Sequence, residues 1–226
     1  MFEGRSIGRR SGFTLVELIV VLAVIALLVG LLLPALGRAA ARGRQAACMN
    51  HLRQIGIAMQ LYADDHGGWL PTTTHGRGSQ ESWIFQLSDY LAGVDRIRIC
   101  PSDPKGPARR SNQASSYVLN EFVFVDLLDP FGRVLESRRR LQTIPKPAQT
   151  MTAMEIADGA GAHVLNDHAH SRRWDQGWPA VLADIQPDRH EGSANYLFAD
   201  AHVEAIAATK LRARLEAGDN PARPPR

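Results

Sequence analysis

The stretch from Arg10 to Leu36, RSGFTLVELIVVLAVIALLVGLLLPAL, constrains what the rest of the chain can be. From Ile19 to Leu33 no side chain is polar. Counted from Phe13 to Leu36, the apolar run is long enough to cross roughly 30 Å of hydrocarbon as a helix. The core helix of a soluble protein would carry a polar face over that length, and this one carries none. A secretory signal peptide has a shorter apolar core followed by a small-residue cleavage site; Ala39-Ala40-Ala41 imitates the site, but the run is too long. Glu17 alone breaks the pattern. A carboxylate costs roughly 2.5–3.5 kcal/mol at the centre of a span and less near its end, where Glu17 sits. An ionisable group kept in such a segment points to a function.

The residues around it, Gly12-Phe13-Thr14-Leu15-Val16-Glu17-Leu18, resemble the processing site of type IV prepilins and the pseudopilins of type II secretion. The resemblance implies that a prepilin peptidase cuts after Gly12, that the new N-terminal Phe13 is N-methylated, and that Glu17, the fifth mature residue, guides assembly. The physics agrees. Cleavage leaves a cationic amine at a helix N-terminus, and a carboxylate one turn away is favourable there. In low dielectric the same carboxylate neutralises the amine of a neighbouring subunit, where an unpaired charge is costly. The resemblance also sets topology: an inner-membrane protein crossing once, with its N-terminus cytoplasmic before processing and its globular part periplasmic or extracellular. Charge alone does not set it, because Arg38, Arg42, Arg44 and Arg53 follow the span as three Arg precede it.

Beyond Pro34, which removes one backbone bond without ending the helix, Cys48, Leu52, Ile55, Met59 and Tyr62 recur at steps of four and three. One helix is therefore expected from Phe13 to Ala63, about 75 Å long, with a lipid-facing first half and a second half packed on a domain. Asp64-Asp65-His66-Gly67-Gly68 ends it. The segment Cys48-Met49-Asn50-His51-Leu52-Arg53-Gln54-Ile55-Gly56, with Tyr62, Asp65, Gly67 and Leu70-Pro71, resembles a prepilin-like family named for a C-terminal His-x9-Asp-Gly motif. Further matches are Cys100-Pro101-Ser102-Asp103-Pro104, Ser116-Tyr117-Val118-Leu119-Asn120 and Pro147 to Glu155. The motif itself reads His190, nine residues, Asp200, with Ala201 in place of Gly.

The remaining pattern is that of a small domain. A short amphipathic helix is expected over Ser82–Leu91 and a basic loop over Lys105–Gln113. Strands are expected over Tyr117–Leu119, Phe122–Val125 and Met151–Ile156, and a long loop over Gly159–Pro179. Asn195–Phe198 and His202–Ile206 read as a hairpin with its tip at Asp200, followed by a helix over Thr209–Ala217. The family's Gly at position 201 implies a positive φ there, so Ala201 bears a penalty of roughly 1–2 kcal/mol or the turn differs. His190, Asp200 and Ala201 are read as structural. Asp200 can bond its own backbone, while His190 is left as either a partner for an acid or an exposed side chain.

Cys48 and Cys100 are the only cysteines. Outside the cytoplasm oxidation is permitted, so they are read either as a bridge stapling the helix to the domain or as two buried thiols. His163, His168, His170, His190 and His202 cluster late with Asp167, Asp175, Asp184 and Asp200, but no recognised ligand spacing links them, and no metal or cofactor is assigned. Asp64-Asp65 and the pair Glu155 and Asp158 are explained by a helix end and a strand end. No nucleophile elbow or phosphate loop is present, so no enzyme is assigned. The leader, Met1 to Gly12, carries Arg5, Arg9, Arg10 and Glu3, or +2 of the net +3. The mature chain is thus nearly neutral and no nucleic-acid partner follows.

The expected fold class is α+β: a long N-terminal transmembrane helix running into a small antiparallel sheet domain, pilin-like. Its divisions are a leader at 1–12, a membrane helix at 13–36, its extramembrane continuation at 37–65, the globular domain at 66–217 and a flexible tail at 218–226. The expected role is a non-enzymatic pilin-like or pseudopilin subunit whose partners are a prepilin peptidase, other pilin-like subunits and inner-membrane lipid. The competing reading is a membrane-tethered periplasmic or surface binding module, with or without a metal, or a metal-dependent enzyme, using the late His/Asp-rich loop.

Overall fold

The structure, a computed structural model, describes residues 15–75 and 78–225. Gly12 and Phe13 lie outside the described residues. Backbone packing divides the chain into two units, Met1–Ala40 and Ala41–Arg226.

The helix α1 spans Leu15–Asp65, with Pro34 inside it and Glu17 in its first turn. In the first unit every described side chain, from Leu15 to Ala40, is exposed. Leu15, Leu22, Leu27 and Leu31 are each more than half exposed. Among the described residues this is the one helix long and apolar enough to cross a membrane.

In the second unit α1 becomes one-sided. Cys48, Leu52, Ile55, Gly56, Ala58, Met59 and Ala63 are buried, the stripe that the steps of four and three predict. The chain then forms α2 (Trp83–Gln86), α3 (Gly106–Ser111), β1 (Tyr117–Asn120), α4 (Glu121–Phe124), β2 (Leu127–Leu128), β3 (Val134–Glu136), β4 (Met151–Glu155), β5 (His168–Ala169), α5 (Trp178–Asp184), β6 (Ser193–Phe198), β7 (Val203–Ala207) and α6 (Ala208–Glu216). The main sheet has the order β5-β1-β4-β6-β7, and β2 and β3 pair separately. The β1–β4, β4–β6 and β6–β7 pairs are antiparallel, but β5 joins β1 in parallel. The sheet is therefore mostly antiparallel, as expected, with one parallel pair at β5.

Both sheet faces are covered, which is why β1 and β4 are buried at every position. Tyr117, Leu119, Ala153 and Leu197 face the α1 stripe together with Trp83 and Leu87. Their alternate neighbours Val118, Met154, Tyr196 and Phe198 pack with Trp174, Val181, Ile185 and Leu211 on the other side. An irregularity between Met151 and Ala153 in the β4–β6 register puts Met151 with the second group. Each fully buried Leu, Ile or Met contributes about 1.5–3 kcal/mol over leaving it exposed.

Four expectations change. Phe122–Val125 is not a strand: Asn120 caps a helical turn there, its Oδ1 accepting from the Phe122 N–H at 3.1 Å. Lys105–Gln113 contains a helix, α3, that starts with Pro107 in its first turn. The segment 159–179 holds β5 and a 3-10 turn over Ser171–Gln176. The stretch expected to be a flexible tail is packed at Asn220 and Ala222, and the Ala222 carbonyl accepts from buried Asn120 Nδ2 at 2.7 Å.

Candidate functional site

The late histidines do not form one cluster; the fold sends four of them to three places and leaves His163 apart. His190 precedes β6 and is buried. Its Nε2 lies 2.8 Å from Glu155 Oε1, at the end of β4. Glu155 is itself 1% exposed, and such a carboxylate needs donors. It has them: the Asn195 N–H at 3.1 Å and Asn195 Nδ2 at 3.2 Å complete the set with His190. Glu155 is thus more than the strand-end acid read from the sequence, and the buried environment it creates reaches Tyr117. Burial, and then the Glu155 charge, push the Tyr117 hydroxyl well above its usual range.

The same spot holds both cysteines. Cys48 on α1 and Cys100 are disulfide-bonded, with Cα atoms 5.1 Å apart across 52 residues of sequence. Cys100 Sγ lies 3.6 Å from Glu155 Oε1 and 3.8 Å from His190 Nε2. These four side chains are close enough to hold a metal, but here the two sulfurs are spent on each other. Next to them Asp103 binds Arg109 at 2.8 Å with both side chains fully buried, and Ser116 Oγ donates to the same carboxylate oxygen at 2.6 Å.

His190 and Asp200 lie at opposite ends of β6 and do not meet. The Asp200 end is the hairpin tip. Asp200 Oδ1 accepts from the His202 N–H at 3.1 Å and contacts the His202 ring nitrogen at 2.5 Å. Burial acts to raise the Asp200 pKa, but the His202 hydrogen bonds outweigh it and hold the group below the usual carboxylate range. Ala201 has φ 67°, the left-handed conformation that the family's Gly implies. The motif residues therefore lie at the two ends of one interior strand, β6.

The third place joins His168 and His170 to His75, a residue of a loop 93 positions before His168 that no spacing in the chain links to them. His75 Nδ1 is 3.0 Å from His168 Nε2, and the His168 and His170 rings are 4.9 Å apart. Asp167 supports the group. Fully buried, it accepts from His168 Nδ1 at 2.9 Å, Thr74 Oγ1 at 2.9 Å, the Thr74 N–H at 3.0 Å and Ser82 Oγ at 2.8 Å. Burial, then the neighbouring His168, lower the His75 pKa, whereas the Asp184 carboxylate raises that of His170. His163 is exposed and stands apart.

An exposed apolar helix thus precedes a small α+β domain, and family models match the first part of the chain. Residues 7–33 match the family described as the prokaryotic N-terminal methylation motif. Residues 37–94 match the one described as "Protein of unknown function (DUF1559)". Comparison with curated proteins and with solved structures gave no match. The chain is prepilin-like, and the motif and the apolar helix together point to membrane anchoring.

Proposed function

We propose that this chain is a pilin-like or pseudopilin subunit, cut by a prepilin peptidase between Gly12 and Phe13, methylated on Phe13 and assembled into a filament of the type II secretion or pilus-like kind. One observation carries the reading: the Gly-Phe-Thr-Leu-x-Glu sequence runs into the apolar helix α1 inside the matched methylation motif. The apolar segment holds the subunit in the inner membrane before assembly and packs against other pilin-like subunits afterwards. The second unit is displayed on the periplasmic or extracellular side, where the Cys48–Cys100 bridge is stable. Its role is structural, with no catalytic step.

Glu17 is the residue on which assembly turns. It lies in the first turn of α1, where a carboxylate meets the positive helix end and the amine created by cleavage. In the filament it neutralises the amine of the adjacent subunit. Glu17→Leu removes a polar group from the span, so membrane insertion is retained or improved, while incorporation into filaments falls. Sedimentation of sheared filaments against membrane-bound subunit measures both. Wild-type incorporation of the variant overturns the role given to Glu17.

A further inference from the structure

We propose that His75, His168 and His170 bind one divalent transition-metal cation of the imidazole-preferring class, zinc(II) above all, as a three-histidine site with an open fourth position. Each of the three offers one ring nitrogen, and these atoms lie within 4.8 Å of one another. Two imidazole nitrogens on a tetrahedral zinc ion, each at about 2.0–2.1 Å, stand roughly 3.3 Å apart. The His75–His168 pair is at 3.0 Å, close to that spacing before any ion draws the ligands to their final places.

The outer groups are those a metal site requires. A ligating histidine usually gives its other ring nitrogen to a carboxylate, which fixes its tautomer. His168 Nδ1 faces Asp167 Oδ1 at 2.9 Å. A carboxylate only accepts, so the proton sits on Nδ1 and the Nε2 lone pair is directed at His75. His170 repeats the arrangement more loosely, its Nδ1 at 3.5 Å from Asp184 Oδ1, while Trp174 Nε1 holds the other Asp184 oxygen at 2.8 Å. The two carboxylates balance the charge of a dication. Asp167 in turn is locked to the 71–75 loop through Thr74 and to the N-cap of α2 through Ser82. The loop carrying His75 and the strand carrying His168 are therefore held together by the side chain that orients the ligand.

The site is also reachable. His168 is buried at its base, His170 is partly exposed and His75 is exposed. A cavity of about 430 Å³ bordered by His75, Thr72, Thr73, Phe124, Asp126 and Arg139 opens beside it. Closed structural zinc sites use four protein ligands, whereas three ligands with a solvent side leave a position for water or an added ligand. The proposal does not depend on filament assembly.

The test uses the full-length chain in detergent without reductant, so that the disulfide stays closed. After chelator treatment the protein is titrated with zinc by calorimetry, and separately loaded with cobalt(II) to read visible absorption. The wild type is expected to take up one equivalent and to show the d–d bands of a low-symmetry cobalt site. His75→Gln, an exposed substitution that leaves the fold intact by circular dichroism, should weaken binding by about tenfold or more and change the cobalt spectrum. His170→Gln should do the same, and His202→Gln, at the hairpin tip, should change neither. No uptake by the wild type overturns the proposal. So does unchanged affinity in both His75→Gln and His170→Gln, or a loss that follows His202→Gln instead.

Discussion

Ala201 and Gly56 show what one methyl group does in this domain. Ala201 holds φ 67° at the β6–β7 tip, a conformation that costs an L-residue roughly 1–2 kcal/mol. Gly56 faces it from α1: a Cβ built there would stand 2.7 Å from Leu197 Cδ1 and 3.2 Å from the Ala201 Cα. Gly56→Ala is therefore expected to destabilise by about 1–3 kcal/mol through overpacking, although Ala is the better helix former. Ala201→Gly should stabilise by about 1 kcal/mol. Because the added methyl would also stand 3.0 Å from Ala201 Cβ, the double variant should be less damaged than the two single changes sum to. Chemical denaturation of the four proteins measures the cycle. Strict additivity would deny the contact, and a loss of stability in Ala201→Gly would deny the strain. The turn at 201 was legible from the motif. The reason for Gly56 was not, because close approach depends on which strand end meets the helix.

At the scale of elements, periodicity spoke clearly where one face is buried. The stripe on α1 follows from steps of four and three, and the β6–β7 hairpin from the alternation on either side of Asp200, although β4 and most of β6 are buried on both faces. It failed where short polar side chains decide. The Phe122–Val125 run has the composition of a strand, yet the Asn120 cap turns it into α4. The parallel partner β5 has two residues, too few to leave a pattern, and the histidine group it helps build needs a third residue from a distant loop. The bridge was one of two readings in the sequence, since spacing along a chain says nothing of Cα separation. It joins α1 to the segment before α3 across 52 residues, for which loop entropy gives about 4 kcal/mol. Replacing Cys48 or Cys100 by Ser is expected to cost about 2–5 kcal/mol. The same loss should appear on adding reductant to the wild type and not to the variants, as a thermal melt would show. A wild-type melt indifferent to reductant, with free thiols by peptide mapping, contradicts this.

For the whole molecule the apolar run outweighs everything else in the sequence. Its described side chains, from Leu15 to Leu36, are all exposed, an arrangement that water does not tolerate over such an area and that lipid or neighbouring subunits would satisfy. The second unit is a closed α+β domain with its own two-sided core. The central claim is that the chain enters a filament through processing at Gly12 and Phe13, and the most direct measurement is the intact mass and N-terminal sequence of the protein purified from its native membrane. The mature chain is expected to begin at Phe13 and to carry one N-methyl group. A chain beginning at Met1, or at any residue from Ala39 to Ala47, would contradict it.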